Sequence, residues 1–294
     1  MISFKVINDI SDVDLELLPD KQECTYILSE LLTMSDIEIA YSVFRDTLIV
    51  RMCDDGDYVF DYPYSFSDTD MGVILREIAI YARRELIPLV FTNVPRAELE
   101  AITDLFPIVT AQAFEEDVDC FVVRVENEIN GLDGFPSIEL NGVVLKKIEK
   151  SDADRYFELC TDEQVNRYWG YDYRLDNPTP VSEYFYNVAV GEFEAGVALA
   201  LGIYVDERFV GECVMYDFDY FGNCEIGVRL MRNEQSKGYA GKTIRALFEL
   251  ARELGLKKVL TRVMTENTSA IRFVEKYMQL DNSENGVRLY KYTL

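Results

Sequence analysis

The pattern of apolar and polar positions predicts a regular succession of elements in the C-terminal half of the chain. A strand from Val143 to Ile148 precedes helical spacing that begins at Ser151–Asp154, continues to Gly170 and resumes from Pro178 to Glu194. The later elements, ending in a strand pair around Gly286, are strands Val197–Val205, Phe209–Phe218 and Cys224–Leu230, helix Ala240–Leu254, strand Leu256–Val263 and helix Asn267–Lys276. This order predicts an α/β (α+β) fold, a mixed sheet with helices on both faces.

The N-terminal half repeats the middle of this arrangement. The predicted elements are strands Ile37–Phe44, Thr47–Cys53 and Asp57–Tyr62, a helix from about Asp68 to Leu86, strand Pro88–Thr92, helix Arg96–Phe106, and strands Ile108–Phe114 and Cys120–Glu126. The repetition indicates two related folds in tandem. Turn-forming residues in the segment from Asn130 to Pro136 separate them, so we predict domains over 1–134 and 135–294.

Charge distribution narrows the function. The 294-residue chain has a net charge of −24, and residues 1–134 carry 9 Lys and Arg against 28 Asp and Glu. Such a surface repels nucleic acid and anionic lipid, and no apolar run has the length of a membrane span. We therefore expect a cytoplasmic protein without a nucleic-acid or membrane partner. The acidic surface either serves solubility or attracts a basic acceptor.

Cysteine and histidine usage restricts the chemistry. The six cysteines are scattered without a C-x-x-C pair, which favours buried, reduced thiols. There is no histidine, which removes the usual zinc sites and every His-based triad, so we expect no metal. Any proton acceptor is then a carboxylate, a tyrosine, water or the substrate.

The segment between the Cys224–Leu230 strand and the following helix has the character of an anion site. Backbone amides ahead of a helix N-terminus offer unpaired N–H donors together with the positive end of the helix dipole, which suits a pyrophosphate. Gly238 permits close approach of the backbone to a ligand, and Gln235 and Lys237 add side-chain donors.

The spacing Gln235-x-x-Gly238-x-Ala240 resembles the acyl-CoA pyrophosphate motif of the GCN5-related N-acetyltransferases (GNAT). The resemblance covers Val143 to Leu294, and Glu163–Gly170 and Gly211–Cys213 are similar to the RimJ/RimL-type subgroup. It implies a GNAT fold and acetyl-CoA as cosubstrate. The cofactor-binding residues that it implies are Val228, Arg229, Leu230, Gln235, Ser236, Lys237, Gly238, Tyr239, Ala240 and Asn267.

The same resemblance suggests how acetyl transfer would proceed. Glu225 of Glu225-Ile226-Gly227 would accept the proton of the amine, and the Val228 N–H would stabilise the oxyanion. The alternative is a structural Glu225. Residues 228–230 would contact the pantetheine arm or simply pair within the sheet, and Asn267 binds the cofactor, caps a helix, or does both. Many members of the family have, at the position of Val274, a tyrosine that protonates the leaving thiolate. Tyr277 lies one helical turn further on, and we expect it to pack rather than to act as that acid.

The acceptor side carries an aromatic cluster: Tyr168, Trp169, Tyr171 and Tyr173. Trp169 and Tyr171, beside Asp172 and Asp176, would bind a cationic substrate, although packing of a helix end explains the cluster equally well. We therefore expect an acetyl-CoA-dependent N-acetyltransferase acting on a primary amine of a small cationic molecule or a protein N-terminus, as a monomer or weak homodimer. The alternatives are a transferase with another acyl donor and a catalytically silent acyl-CoA-binding or interaction module.

The first domain departs from this pattern. Its loop from Pro63 to Asp70 has no glycine, and Asp61, Asp68 and Asp70 would repel a pyrophosphate. We expect a degenerate GNAT-like domain without an acyl-CoA site. In element order alone it resembles the N-terminal halves of tandem proteins of the mycothiol-synthase and lysyl-phosphatidylglycerol-synthase types.

Overall fold

The computed structural model of the protein describes residues 2–34, 36–113, 119–127, 129 and 132–294. The chain divides into two units, residues 1–126 and 127–294. Asn130 and Gly131, which begin the segment predicted as the domain boundary, lie outside the described residues, as does Phe114 at the end of a predicted strand. None of the described helices is long and apolar enough to cross a bilayer.

The N-terminal unit alternates strands with three helices. Its elements are β1 (Lys5–Ile7), α1 (Lys21–Leu31), β2 (Glu38–Phe44), β3 (Thr47–Asp54), β4 (Asp57–Asp61), β5 (Tyr64–Ser65), α2 (Met71–Glu85), β6 (Leu89–Pro95), α3 (Leu99–Leu105), β7 (Val109–Ala113) and β8 (Cys120–Val125). The strands form one sheet in the order β1-β2-β3-β4-β6-β8-β7, and β5 pairs with β3. Among the described strands of this unit, only β4 and β6 pair in parallel.

Helices cover both faces of this sheet. Cys24, Leu28 and Leu31 of α1 pack with Val50 of β3 in one apolar cluster. The next residue, Arg51, points to the other face, where its guanidinium donates to the Tyr81 hydroxyl of α2 at 2.7 Å. Alternation of side chains along the strand therefore places the two helices on opposite faces.

The C-terminal unit has the same plan. Its elements are β9 (Ile138–Leu140), β10 (Val143–Lys146), α4 (Ala153–Thr161), α5 (Glu163–Asn166), α6 (Tyr184–Glu194), β11 (Ala198–Val205), β12 (Arg208–Tyr216), β13 (Asn223–Leu230), α7 (Tyr239–Glu253), β14 (Lys258–Met264), α8 (Thr268–Val274), β15 (Gln279–Glu284) and β16 (Val287–Thr293). The sheet order is β9-β10-β11-β12-β13-β14-β16-β15.

The two sheets share one connectivity. Strand for strand, β1-β2-β3-β4-β6-β8-β7 corresponds to β10-β11-β12-β13-β14-β16-β15, and in each sheet one parallel pair, β4–β6 or β13–β14, joins the antiparallel parts. A helix, α2 or α7, connects the two parallel strands. The predicted fold class, two mixed and mostly antiparallel sheets with flanking helices, is confirmed.

Two apolar clusters hold the C-terminal unit together, one on each face of its sheet. Ile244, Leu247 and Ala251 of α7 pack with α8 and with Cys224 and Ile226 of β13. On the other face, α4 and α6 pack together through buried side chains that include Tyr156, Leu159, Phe185 and Ala189. The sheet is thus covered by α7 and α8 on one side and by α4 and α6 on the other.

The helical segments before β11 are shorter than predicted. α6 begins at Tyr184 rather than Pro178, and Pro180 disfavours the helical conformation of Thr179, the residue before it. The predicted helix to Gly170 is interrupted at Asp162, whose carboxylate accepts the N–H groups of Gln164 and Val165 and so starts a new helix. Four short or polar elements, β1, α1, β5 and β9, were not predicted.

Candidate functional site

Strands β13 and β14 pair at one end and then separate. Their parallel pairing covers only Asn223↔Lys258 to Glu225↔Leu260, although β13 continues to Leu230 and β14 to Met264. Beyond the last pair, the Thr261 hydroxyl donates to the carbonyl of Ile226 at 2.9 Å. The backbone of residues 227–230 therefore presents an edge that β14 does not cover. We call this divergence the fork.

A cavity of about 1120 Å³ occupies the fork and continues toward α4 and α6. Both diverging strands contribute to its wall, through Gly227, Val228 and Arg229 on one side and residues 261–264 on the other. Ile244 of α7 and Val274 of α8 border it as well. Leu230, predicted beside Val228 and Arg229, does not border the cavity but is buried in the α7 cluster. The cavity is large enough for an extended ligand arm.

The loop after β13 leaves the N-terminus of α7 open. Gly238 occupies the N-cap position in a left-handed conformation (φ +83°), and it supplies no side-chain acceptor for the first amides of the 15-residue helix. A Cβ on Gly238 would have no described atom within 4 Å. Ser236 is also left-handed (φ +62°). Such a turn exposes successive amides at the positive end of a helix dipole, which is an anion-binding arrangement.

Side chains of the loop already have partners within the chain. The Gln235 amide nitrogen donates to the carbonyl of Leu230 at 3.1 Å, which ties the loop to the end of β13. The Lys237 ammonium lies 3.0 Å from the buried carboxylate of Glu234. Tyr239 and Ala240 pack against the α7 cluster. The donors that this loop leaves for an anion are therefore mainly backbone amides.

Asn267 caps a helix and lies at the cavity. Its side-chain oxygen accepts the Ala270 N–H at 3.1 Å and so caps α8. The residue also borders the cavity. Val274, one of the departures noted in the sequence, borders the cavity too, whereas the Tyr277 ring packs over Gly241, where an added Cβ would lie 2.5 Å from the Tyr277 hydroxyl.

Glu225 lies at the closed end of the fork, but its carboxylate does not border the cavity. Its side chain is 3% exposed; one oxygen accepts from the Arg262 guanidinium, and the other accepts from the Tyr216 hydroxyl at 3.2 Å. Burial raises the pKa of this carboxyl, and the nearby Arg262 charge only partly opposes the shift. Tyr216 and Arg262 both border the cavity and stand between it and Glu225.

The predicted acceptor residues Trp169 and Tyr171 border the cavity. The Trp169 indole packs over Gly227, where a Cβ would lie 2.8 Å from the ring, and the Arg229 guanidinium sits 4.4 Å from the ring centroid. One aromatic ring predicted to bind a substrate cation is therefore already in contact with a cation of the chain.

The acidic side chains beside this cluster are also occupied. Asp172 pairs with Arg174 at 2.7 Å, and Asp176 accepts the Tyr171 hydroxyl at 2.6 Å. Hydrogen bonds from Arg174, together with its charge, lower the pKa of Asp172. These carboxylates stabilise the loop before α6.

A buried polar network was missed by the sequence analysis. The Glu212 carboxylate pairs with Arg229 at 2.6 Å and accepts from the Tyr156 hydroxyl, with side-chain exposures of 4% and 10% for the ion pair. Arg229 also donates to Asn166 and approaches the Cys160 sulfur at 3.0 Å. From the sequence we predicted a role for the Arg229 backbone in contacting the cofactor, and none for its side chain. A charged residue within each of two apolar strand runs, Glu212 and Arg229, was the available signal.

The N-terminal unit differs at the corresponding junction. Its parallel pair, β4–β6, ends at Asp61↔Thr92, and the buried Asp61 carboxylate accepts from the Tyr64 hydroxyl and from the Asn93 amide at 2.8 Å. Tyr64 and Ser65 then pair with β3. The corresponding helix also begins differently: the Asp70 carboxylate caps α2 by accepting the Gly72 N–H at 2.9 Å, whereas Gly238 gives α7 no side-chain cap.

Comparison with known proteins identifies one matching family. Residues 143–277 match the model of an acetyltransferase (GNAT) domain. No curated protein matches the chain in a sequence search.

Three solved structures are similar to part of this chain. Spermidine N-acetyltransferase from Vibrio cholerae, in complex with CoA and spermine, is 16% identical, with 52% of this chain and 95% of that chain covered and a TM-score of 0.45. RimL, the ribosomal L7/L12 α-N-protein acetyltransferase bound to coenzyme A, is 14% identical, with 54% of this chain and 98% of that chain covered and a TM-score of 0.47. Mycobacterium smegmatis RimJ in complex with CoA-disulfide is 15% identical, with 54% of this chain and 86% of that chain covered and a TM-score of 0.44.

Proposed function

We propose that the chain moves an acetyl group from acetyl-CoA to a primary amine of a small cationic molecule or a protein N-terminus, because residues 143–277 match the model of an acetyltransferase (GNAT) domain. The observation that carries the proposal is the open fork beside the glycine-capped N-terminus of α7. The six cysteines are in the reduced form, which agrees with action in the cytoplasm. We propose a monomer or a weak homodimer.

The fork and the loop together suit the two ends of an acyl-CoA. The pantetheine arm carries amides and would lie along residues 228–230 as an added strand does on an open sheet edge. The pyrophosphate would then meet the amides of residues 236–240 at the positive end of α7. Asn267 borders the same cavity from the α8 side.

Acetyl transfer needs an unprotonated amine and stabilisation of an oxyanion. The Val228 N–H would donate to the thioester oxygen as negative charge develops there. Glu225 would receive the proton that the amine loses, since its raised pKa suits a proton acceptor better than an exposed glutamate. With Val274 in the cavity wall in place of an acid, the CoA thiolate would take its proton from water or from Glu225.

The N-terminal unit would support this domain without binding acyl-CoA. Its helix α2 is capped by the Asp70 carboxylate, whereas α7 begins at Gly238 without a side-chain cap. A pyrophosphate or thioester would therefore meet an anion there rather than backbone donors. We propose that only the C-terminal unit transfers acetyl groups.

A thiol-release assay tests the proposal. The protein is incubated with acetyl-CoA and, in turn, with polyamines, aminoglycosides, amino acids and peptides, and free CoA is measured. We expect release with at least one amine and a loss of about 10²-fold or more in kcat for Glu225→Gln. Acetyl-CoA binding without release for any amine would contradict the transferase and favour the silent binding module. Full activity in Glu225→Gln would remove the base assignment alone.

A further inference from the structure

The two oxygens of Glu225 are both closed to a substrate. Oε1 is paired with Arg262, and Oε2 accepts from the Tyr216 hydroxyl at 3.2 Å. The carboxylate is 3% exposed and does not border the cavity. Tyr216 and Arg262 both border the cavity, so each of them connects the cavity to Glu225.

The two neighbours differ in what they can do with a proton. Arg262 is a guanidinium that stays fully protonated in proteins, so it has no site for an incoming proton. Tyr216 has a hydroxyl that donates and accepts at once. Tyr216 borders the cavity and its hydroxyl contacts Glu225, so it joins the two environments.

We propose that Tyr216 is a catalytic residue that relays the proton of the acceptor amine to Glu225. The inference rests on the proposed acetyl transfer. As the amine nitrogen attacks the thioester carbon, the C–N bond forms and the nitrogen proton passes to the Tyr216 oxygen, while the Tyr216 proton passes to Glu225 Oε2. Tyr216 is a neutral phenol before and after this step.

The second half of the reaction restores both side chains. The C–S bond breaks, the electron pair leaves with sulfur as the CoA thiolate, and the amide product is neutral. The proton on Glu225 returns through Tyr216 to the thiolate or to water. Burial and the adjacent Glu225 charge raise the pKa of Tyr216, so the phenol stays neutral between steps.

The charged groups around the pair are Arg262 and Asp217. Arg262 contacts Glu225 and lies 3.7 Å from Asp217. The side chains of Arg262 and Asp217 are exposed, and both residues border the cavity. Arg262 favours the ionised form of Glu225 and Asp217 opposes it. The ionised carboxylate is the form that accepts a proton, so the relay requires a pH above the pKa of Glu225.

Tyr216→Phe is the decisive variant because it keeps the ring and removes only the hydroxyl. Tyr204→Phe is its matched control: that buried hydroxyl also contacts a carboxylate, Asp152 at 3.1 Å, but Tyr204 does not border the cavity. We expect Tyr216→Phe to lose about 10²-fold or more in kcat for thiol release, with acetyl-CoA affinity by calorimetry unchanged. Tyr204→Phe should keep the wild-type kcat.

Two readouts separate a relay from a merely structural contact. The double variant Tyr216→Phe/Glu225→Gln should be no slower than the slower single variant, because both changes break one chain. The acidic limb of the kcat profile should disappear in Tyr216→Phe. Multiplied losses, a retained acidic limb, or kcat within about threefold of wild type would each overturn the relay. Failure of the wild type to bind acetyl-CoA or release thiol would instead overturn the proposed transferase, and the relay with it.

Discussion

Removing the Arg229 side chain should destabilise the C-terminal unit strongly. Arg229 and Glu212 form an ion pair whose side chains are 10% and 4% exposed, and Tyr156 supplies the other hydrogen bond to the carboxylate. Arg229→Met keeps an apolar stem of similar length but leaves Glu212 as a buried anion with one neutral donor. Breaking a buried pair in this way costs about 3–5 kcal/mol.

The single tryptophan gives an assay that reports on this unit. Trp169 is the only tryptophan in the chain, and its ring centroid lies 4.4 Å from the Arg229 guanidinium. Its fluorescence therefore follows unfolding of the C-terminal unit during a urea titration. With a slope of about 2 kcal/mol per molar urea, the loss should lower the midpoint by about 1.5–2.5 M.

Two further variants control the experiment. Glu212→Gln combined with Arg229→Met removes the uncompensated charge, so it should recover more than half of the lost stability. Arg252→Met removes an exposed partner of Glu249 and should leave the midpoint unchanged. A loss below about 1 kcal/mol in Arg229→Met, or no recovery in the double variant, would refute the reasoning that burial of the Glu212 charge sets the cost.

Three other changes test further parts of the site. Gly227→Ala would place a Cβ 2.8 Å from the Trp169 ring, so we expect the indole to shift and its emission to move to longer wavelength; an unchanged spectrum would contradict this packing. Thr261→Val removes the hydroxyl that donates to the Ile226 carbonyl, so the free energy of unfolding measured by urea titration should fall by about 1–2 kcal/mol. An unchanged free energy of unfolding would show that this hydrogen bond does not stabilise the unit. Because burial raises the pKa of Glu225 above 4.5 and the ionised form accepts the proton, kcat should fall as pH decreases through that raised pKa. A profile that stays flat down to pH 4.5 would be inconsistent with Glu225 as base.

Local signals were sufficient for most of the fold. Strands such as β11 and helices such as α7 have long apolar periodicity, so their pattern alone locates them. β1 and β9 have three residues each, which is too short for any periodicity to emerge. α1 buries Cys24, Leu28 and Leu31 at helical intervals, but polar residues dominate its sequence and obscure the pattern.

Local sequence likewise predicts some parts of the candidate site and not others. The loop at Gly238 depends on local turn chemistry, so its position could be predicted from the sequence. The network around Glu212 depends on the register that sets Glu212 opposite Arg229 across β12 and β13, and on α4 bringing Tyr156 to the same point. Neither relation is present in a local stretch of sequence. For the same reason the sequence did not predict that Tyr216 and Arg262 separate Glu225 from the cavity.

The central claim is that backbone amides at the start of α7 bind the pyrophosphate of acetyl-CoA, and titration calorimetry tests it directly. Gly238 and Gly255 flank α7, both have positive φ, and neither would bring a Cβ within 4 Å of another described atom. Gly238→Glu and Gly255→Glu therefore add the same strain and charge at opposite ends of one helix. We predict one acetyl-CoA per chain for the wild type and for Gly255→Glu, and affinity lower by about tenfold or more for Gly238→Glu. No binding by the wild type, or equal affinity in all three proteins, would contradict the account.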